Sequence, residues 1–194
     1  MSTRTRGVTL VELIVFIVIV GVAMSALFAI FGTITKASAD PQVRKQVLAI
    51  AESLMDEVAL MPFTYCDPDD ANAATALNAA GCATTPEAIG PEALNVPPGG
   101  PAETRTGSVR PFDNVNDYHG FSMGPGIQDI TNAPIAGLGA YSANITVTQT
   151  ALASGVDLIP AADSLLISVT VTGPGGVSTT LEGYRTSYAP NTVP

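Results

Sequence analysis

The sequence predicts an α+β protein in which a long N-terminal helix packs on a C-terminal antiparallel β-sheet head. Three observations support this fold class: a charge-free apolar run near the N-terminus, a helical apolar period directly after it, and alternating apolar and polar residues in the last third. The first run is long enough for a membrane span. We therefore expect a helix with a membrane half and an amphipathic half.

The membrane half is predicted at residues 13–35, which are 23 residues without a charge. At about 1.5 Å per residue, a helix of this length crosses a hydrocarbon core of about 30 Å. Arg4 and Arg6 precede the run, and a short basic tail of this kind stays in the cytoplasm. Because the chain beyond the run is acidic as a whole, we expect a single-pass protein with an exported head.

Two interpretations of this run differ in where the chain is cut. Ala37-Ser38-Ala39 before Asp40 fits the small-residue site of a secretory signal peptide, which would release a soluble periplasmic protein. The apolar run is, however, longer than the roughly 7–15 residues of such signals. The second interpretation uses the other end of the run, where Gly7 follows the basic residues and Glu12 lies at the edge of the apolar stretch.

Residues 4–31 resemble the N-terminus of type IV prepilins and of type II secretion pseudopilins. The resemblance implies that a prepilin peptidase cuts after Gly7, that Val8 becomes the N-methylated terminus, and that Glu12 serves in assembly. Its further implied partners are other major and minor pilins, an inner-membrane assembly platform, and membrane lipid before assembly. The implied location is the bacterial inner membrane with a periplasmic head, and then an extracellular pilus. Val8 departs from the usual Phe, and Ala29 stands where many pilins carry Pro.

The chemistry of Glu12 agrees with that resemblance. A carboxylate at the edge of a membrane helix is costly to bury, which makes it a functional candidate. A cut after Gly7 creates an α-amino cation at Val8, one helical turn from Glu12, and the two charges can pair within a subunit or between stacked subunits. The alternative is a first-turn glutamate that the helix dipole favours at headgroup level.

An amphipathic half follows, with a narrow apolar stripe ending before Pro62. Pro41 either starts this half or kinks a continuous helix. The predicted organisation is a basic leader at 1–7, a helix at 8–61, and a head at 62–194. The stripe consists of Val43, Val47, Ile50, Ala51, Leu54, Val58 and Met61.

The head divides into a loop-rich part at 62–139 and a β-meander at 140–194. The loop-rich part contains Cys66 and Cys82, and in an exported protein so close a pair predicts a disulfide that stabilises the fold by about 3 kcal/mol. Short strands or turns are expected within it, because an insert of this length without structure is uncommon. In the meander, the alternation predicts strands at 141–150, 165–171 and 177–188, with a turn at 173–176.

Two Asx-rich runs of the head are secondary candidates for calcium, which takes six to eight oxygen ligands. Neither run has the Gly and closing Glu of an EF-hand, so we expect turns in which side chains cap backbone amides, and no cofactor. The candidate ligands are Asp67, Asp69 and Asp70 with Asn72, and Asp113 and Asp117 with Asn114 and Asn116.

Other functions are disfavoured. Residues 120–124 match the G-x-S-x-G nucleophile pattern around Ser122, but the following Gly-Pro-Gly cannot open the required helix, and the single histidine, His119, is three residues away. We therefore expect no enzyme. The formal net charge of −9 argues against nucleic-acid binding. The eight aromatic residues of the head include no Trp and show no visible stacking cluster, which disfavours sugar binding.

Three stretches of the head resemble minor pilins of the mannose-sensitive haemagglutinin (MSHA) pilus: residues 62–72, 112–118 and 183–186. This resemblance implies a low-abundance structural subunit that primes pilus assembly and lies near the fibre tip, where it takes part in surface attachment. A type II secretion pseudopilin, which is built alike, is the alternative within the same superfamily.

Overall fold

A computed structural model describes residues 7, 9–93, 99–154, 157–187 and 191 of the 194-residue chain. It has one long α-helix at the N-terminal end and an antiparallel sheet at the C-terminal end, so the predicted α+β, pilin-like fold class is confirmed. Of the residues used above, Arg4, Arg6, Val8 and Tyr188 lie outside the described residues.

Helix α1 runs from Leu10 to Leu60 and contains Pro41 within it. Its start is defined by Thr9, whose hydroxyl oxygen accepts a hydrogen bond from the backbone amide of Glu12 at 3.3 Å. The helix therefore begins two residues after the predicted position. At the other end it stops just before Pro62, whose ring cannot continue a helix.

The chain divides into two units, and the first comprises residues 1–42. Within it, Leu10–Gly32 is apolar and long enough to span a membrane. This segment has a mean hydropathy of 3.0, and none of its residues is buried. The structural span thus lies three residues nearer the N-terminus than the predicted one. Its large apolar side chains are exposed, including Phe16 at 63% and Phe28 at 73%.

The second unit comprises residues 43–194 and contains a four-stranded antiparallel sheet in the order β1-β2-β5-β6. A separate two-stranded hairpin, β3-β4, is inserted between β2 and β5. The three long strands cover the three predicted ones, and β1 and the hairpin are additions. The strands are β1 (Ser122–Met123), β2 (Ser142–Gln149), β3 (Leu152–Ser154), β4 (Asp157–Ile159), β5 (Ser164–Thr172) and β6 (Ser178–Thr186).

The core of this unit lies between one face of the sheet and the C-terminal part of α1. On the helix, Val47, Ala51 and Val58 are fully buried, as the apolar stripe predicts. On the sheet, alternate residues of β2 and β5 face them because side chains of a strand alternate between faces. The inward residues are Ala143, Ile145, Val147, Leu165, Ile167, Val169 and Val171.

Helix and sheet approach each other closely at the turn after β5. A Cβ atom placed on Gly173 would lie 2.8 Å from the Tyr141 ring and 2.9 Å from Val47. The hydroxyl of Tyr141 also donates a hydrogen bond to the Gln46 side chain. Glycine is therefore required at 173 by the packing of the helix against the sheet.

The loop-rich part of the head contains an aromatic cluster that is not visible in the sequence. The rings of Phe112 and Tyr118 are 5.0 Å apart, and that of Phe121 lies 5.9 Å from Phe112 and 6.4 Å from Tyr118, all edge to face. Phe112 and Tyr118 are buried in the main core. The cluster therefore packs the interior of the head and offers no exposed platform for a sugar.

Candidate functional site

The first turn of α1 carries the predicted assembly residue. Glu12 is exposed and lies three residues after Thr9, the position at which a carboxylate is stabilised by the helix dipole. Gly7 is exposed and precedes the helix, so the residue before the predicted cut is not part of a helical element. Val8, the predicted methylated residue, lies outside the described residues.

The helix surface that follows Glu12 is apolar and uncovered. Within Leu10–Gly32 no side chain is buried, and Ser25 satisfies its own hydroxyl by donating to the Val22 carbonyl at 2.8 Å. A continuous apolar surface of this kind is unfavourable in water and needs lipid or other apolar helices around it. The segment is therefore suited to membrane anchoring and to packing against neighbouring subunits.

In the head, the predicted disulfide between Cys66 and Cys82 is present, with the two Cα atoms 5.6 Å apart. Asp70 organises the loop that the disulfide closes. Its two carboxylate oxygens accept hydrogen bonds from four backbone amides and one hydroxyl, at 2.7–3.1 Å, and the donors are in residues Asn72, Ala83, Thr84 and Thr85. Asp70 is thus an amide-capping residue, as the Asx-turn interpretation predicted.

Those hydrogen bonds set the acidity of Asp70. Burial alone would raise its pKa, but the backbone amides that donate to it, led by that of Thr85, outweigh burial and lower the pKa well below the ordinary value of 3.8. Since both oxygens are already occupied, Asp70 is not available as a calcium ligand.

A buried ion pair joins the loop-rich part to the helix. Arg105 donates from Nε and Nη2 to the two carboxylate oxygens of Glu57, each at 2.7 Å, and the Tyr118 hydroxyl donates to the same carboxylate at 2.9 Å. The guanidinium also lies 5.6 Å from the centre of the Phe121 ring. The pair fixes the loop to α1 because a bidentate contact has a defined geometry.

A second arginine, Arg110, lies at the centre of a carboxylate cluster. Its guanidinium contacts Asp67 at 2.8 Å, Asp69 at 3.0 Å and Glu103 at 2.8 Å. Asp113 belongs to the same cluster. Burial, together with the charges of Asp67 and Asp69, raises the pKa of Asp113 to about 7.

A third group of carboxylates, the Glu87–Glu92–Asp117 triad, lies in the same part of the head. Each of its three residues offers one oxygen within 4.8 Å of the others. The pKa of Glu87 is raised to about 10 and that of Asp117 to about 7. Burial is the main cause of both shifts, and the charges of neighbouring carboxylates act in the same direction. Of the acidic calcium candidates, Asp117 therefore lies in this triad, and Asp67, Asp69 and Asp113 lie in the cluster around Arg110. Asp70 belongs to neither group.

The nucleophile pattern does not have the geometry of an elbow. Ser122 lies on the short strand β1, and residues 124–130 after it are not helical. The ring of His119 is engaged elsewhere, because its Nδ1 accepts a hydrogen bond from the backbone amide of Val147 at 3.2 Å. Ser122 therefore does not lie at the strand-to-helix turn that a nucleophile elbow requires.

Sequence reasoning missed several residues that organise the head. Arg105 is 48 residues from Glu57 and Arg110 is 43 residues from Asp67, and only the fold brings these partners together. Glu87 and Glu92 are isolated acidic residues in a Pro- and Ala-rich stretch. One signal was present for the cap of α1: Thr9-x-x-Glu12 is a capping-box pattern immediately before an apolar run.

Comparison with known protein families identifies one match. Residues 2–28 match the model of the prokaryotic N-terminal methylation motif. Comparisons with curated proteins and with solved structures gave no match. The matched segment includes Gly7, Val8 and Glu12 and overlaps the exposed apolar part of α1. The N-terminus of this chain is therefore a type IV prepilin-like methylation segment that continues into a helix suited to membrane anchoring.

Proposed function

We propose that the chain is a minor pilin of an MSHA-type type IV pilus, a structural subunit that acts in pilus assembly and priming near the fibre tip. The observation that carries the proposal is the continuity of three features: the methylation motif at residues 2–28, the exposed apolar helix Leu10–Gly32, and a separate packed head. The MSHA assignment itself rests on the resemblance of the head stretches at 62–72, 112–118 and 183–186.

In this proposal the prepilin is held in the bacterial inner membrane by its apolar helix, with the head in the periplasm. Prepilin peptidase cuts after Gly7, and Val8 is methylated. The assembly platform then moves the subunit into the fibre, where other pilins replace lipid around the apolar helix. Because one apolar environment is exchanged for another, this transfer costs little hydrophobic free energy.

Glu12 sets the depth to which the subunit is inserted into the fibre. In the membrane the carboxylate lies at the start of the apolar surface, where a charge is costly. The new α-amino group of Val8, on the same or a neighbouring subunit, is the cation that neutralises it. A subunit whose Glu12 meets that cation is inserted to the correct depth, since any other depth leaves a charge in an apolar environment.

The mature N-terminus tests the class of protein directly. We expect mass spectrometry of the chain recovered from the membrane to find an N-methylated peptide that begins at Val8. A peptide beginning at Asp40 would instead establish a secreted protein released after Ala39 and would overturn the proposal. Helix α1 continues through residue 39, which favours the first outcome.

The Glu12→Ala variant tests the assembly role. We expect cleavage after Gly7 to be unchanged, while recovery of the subunit in sheared fibres falls about tenfold or more, a change equivalent to about 1.4 kcal/mol. Glu52→Ala is the matched control, because Glu52 is also an exposed glutamate of α1 and lies outside the apolar segment. Equal recovery of wild type and Glu12→Ala would contradict the role.

Deletion of the gene separates a pilus from a type II secretion system. Loss of surface fibres with normal secretion of exoproteins is the result expected for a minor pilin. Retention of exoproteins in the periplasm with fibres intact would assign the chain to the pseudopilins instead.

A further inference from the structure

The Glu87–Glu92–Asp117 triad is formed by three segments that the fold brings together. The backbone amide of Glu87 donates to the Tyr65 carbonyl at 3.0 Å, and that of Gly90 donates to the Asn116 carbonyl at 3.1 Å. Glu92 pairs through backbone and side-chain hydrogen bonds with Glu103. These contacts hold the carboxylates beside the 3₁₀ helix Val115–Tyr118.

Several oxygens at this place have no hydrogen-bond partner among the described residues. Asp117 is 1% exposed, and its Oδ2 accepts from the amides of Asp113 and Asn114, whereas its Oδ1 has no partner. No partner is found either for the two carboxylate oxygens of Glu87 or for the Oδ1 of Asn116, a residue that is 3% exposed. Buried polar atoms are normally satisfied, so four such oxygens in one neighbourhood point to a ligand.

A cation fits these four oxygens, because they belong to two carboxyl groups, those of Glu87 and Asp117, and to the amide of Asn116, whose oxygen is an acceptor. The three arginines of the head have other partners: Arg105 contacts Glu57, Arg110 contacts the cluster of Asp67, and Arg185 donates to the Met61 carbonyl.

We propose that Glu87, Glu92 and Asp117, with the side-chain oxygen of Asn116, form a calcium-binding site in the head. Carboxylate and amide oxygens are the ligands of a hard divalent cation, whereas zinc sites use Cys and His. One carboxylate oxygen from each residue of the triad lies within 4.8 Å of the other two, which is about twice a Ca²⁺–O distance of roughly 2.3–2.6 Å. An adjacent cavity of about 290 Å³, lined in part by Glu87 and Asn116, leaves room for water ligands.

Calcium binding is tested on the full-length chain in detergent micelles after removal of metal with EGTA. Isothermal titration with CaCl₂ is expected to show one ion per chain. At Ca²⁺ about 100-fold above Kd, the melting temperature of the head is expected to rise by about 5–10 °C. Absence of both heat and a melting shift in the wild type would overturn the proposal.

Substitutions locate the ion. The Glu87→Gln/Glu92→Gln double variant is expected to bind Ca²⁺ at least tenfold more weakly and, without Ca²⁺, to melt at or above the wild-type temperature because the repulsion is removed. Asp69→Asn is the matched control in the Arg110 cluster and is expected to keep its affinity within about twofold. If Asp69→Asn loses as much affinity as the double variant, the ion belongs to the other cluster and the proposal fails.

A second measurement does not depend on the variants folding. Tb³⁺ replaces Ca²⁺ at oxygen sites and emits when a nearby tyrosine is excited, and Tyr65 lines the same cavity as Glu87 in a chain without Trp. Wild-type protein is expected to give tyrosine-sensitised Tb³⁺ emission that Ca²⁺ displaces. Absence of emission, or emission that excess Ca²⁺ leaves unchanged, would count against the site.

Discussion

Asp70 shows how one side chain can organise a loop without regular secondary structure. It accepts five hydrogen bonds from residues on both sides of the loop closed by Cys66 and Cys82. The disulfide restricts the unfolded chain, whereas Asp70 stabilises the folded loop by satisfying its amides. The two effects act on different states and therefore add.

We expect Asp70→Asn to lower the free energy of unfolding by about 3 kcal/mol at neutral pH, because an amide cannot accept from all five donors. The pKa of Asp70 is lowered in the folded state, so its charge stabilises the fold above the unfolded-state pKa of about 4 and this contribution is lost as the pH falls below it. The difference between wild type and variant should therefore be smaller at pH 3 than at pH 6, as measured by urea unfolding.

Asp129 provides the control for that experiment. It also accepts hydrogen bonds from the backbone amides of Thr131 and Ala133, but at an exposed turn. Asp129→Asn should cost much less, since water replaces the lost partners. A loss equal to that of Asp70→Asn would contradict the role given to burial of the loop.

At the scale of elements, the C-terminal part of α1 is held by its apolar stripe. Leu54 is 4% exposed and packs in the main core, whereas Leu60, six residues later on the same helix, is 82% exposed. The two leucines have the same side chain and belong to the same helix, but they differ in burial. Leu60 is also the last residue of the helix.

We expect Leu54→Ala to lower the free energy of unfolding by about 3 kcal/mol and Leu60→Ala by less than about 0.5 kcal/mol. Thermal or urea unfolding followed by circular dichroism measures both. A comparable loss in the two variants would contradict stabilisation by packing of the buried stripe on the sheet, because alanine has the higher helix propensity and the substitution itself costs no propensity.

The regular elements were predictable because their signal is local. The stripe from Val43 to Met61 repeats at the helical period, and β2, β5 and β6 alternate at the period of a strand. Strand β1 has only two residues, too few for a period, and its pairing with β2 depends on the fold. The aromatic cluster was missed for the same reason, since its rings meet only after the loop-rich part has folded.

For the molecule as a whole, the division into two units has an energetic meaning. The main core cluster draws all of its buried residues from 43–194, and residues 1–42 form a separate unit. The second unit, residues 43–194, therefore contains a complete hydrophobic core, which predicts that it is stable without the apolar segment.

We expect residues 43–194, expressed alone in an oxidising compartment, to be folded and to melt cooperatively within a few degrees of the full-length chain in detergent. Circular dichroism and scanning calorimetry measure the transition, and the reduced form serves as a control that should melt earlier. Loss of a cooperative transition in the oxidised head would show that the apolar segment stabilises it.

The candidate sites differ in how far the sequence could reveal them. The N-terminal site is contiguous, so the roles of Gly7, Val8 and Glu12 could be predicted from the resemblance of a single segment to prepilins. The carboxylate clusters are not, because Glu87, Glu92 and Asp117 are separated in the chain and become neighbours only through the loop contacts. The Asx-rich runs include Asp117 and Asn116, but the rest of the proposed ligand set could be found only from the fold.

The hydroxyl of Thr9 caps helix α1, and the proposed cut after Gly7 leaves this cap in place. The Thr9 hydroxyl oxygen accepts a hydrogen bond from the Glu12 amide. Both residues belong to the segment that would remain after a cut behind Gly7. In the proposed maturation, processing changes the charge at the end of the chain and leaves the first turn of α1 capped. On this proposal the helix needs no refolding before it joins a fibre.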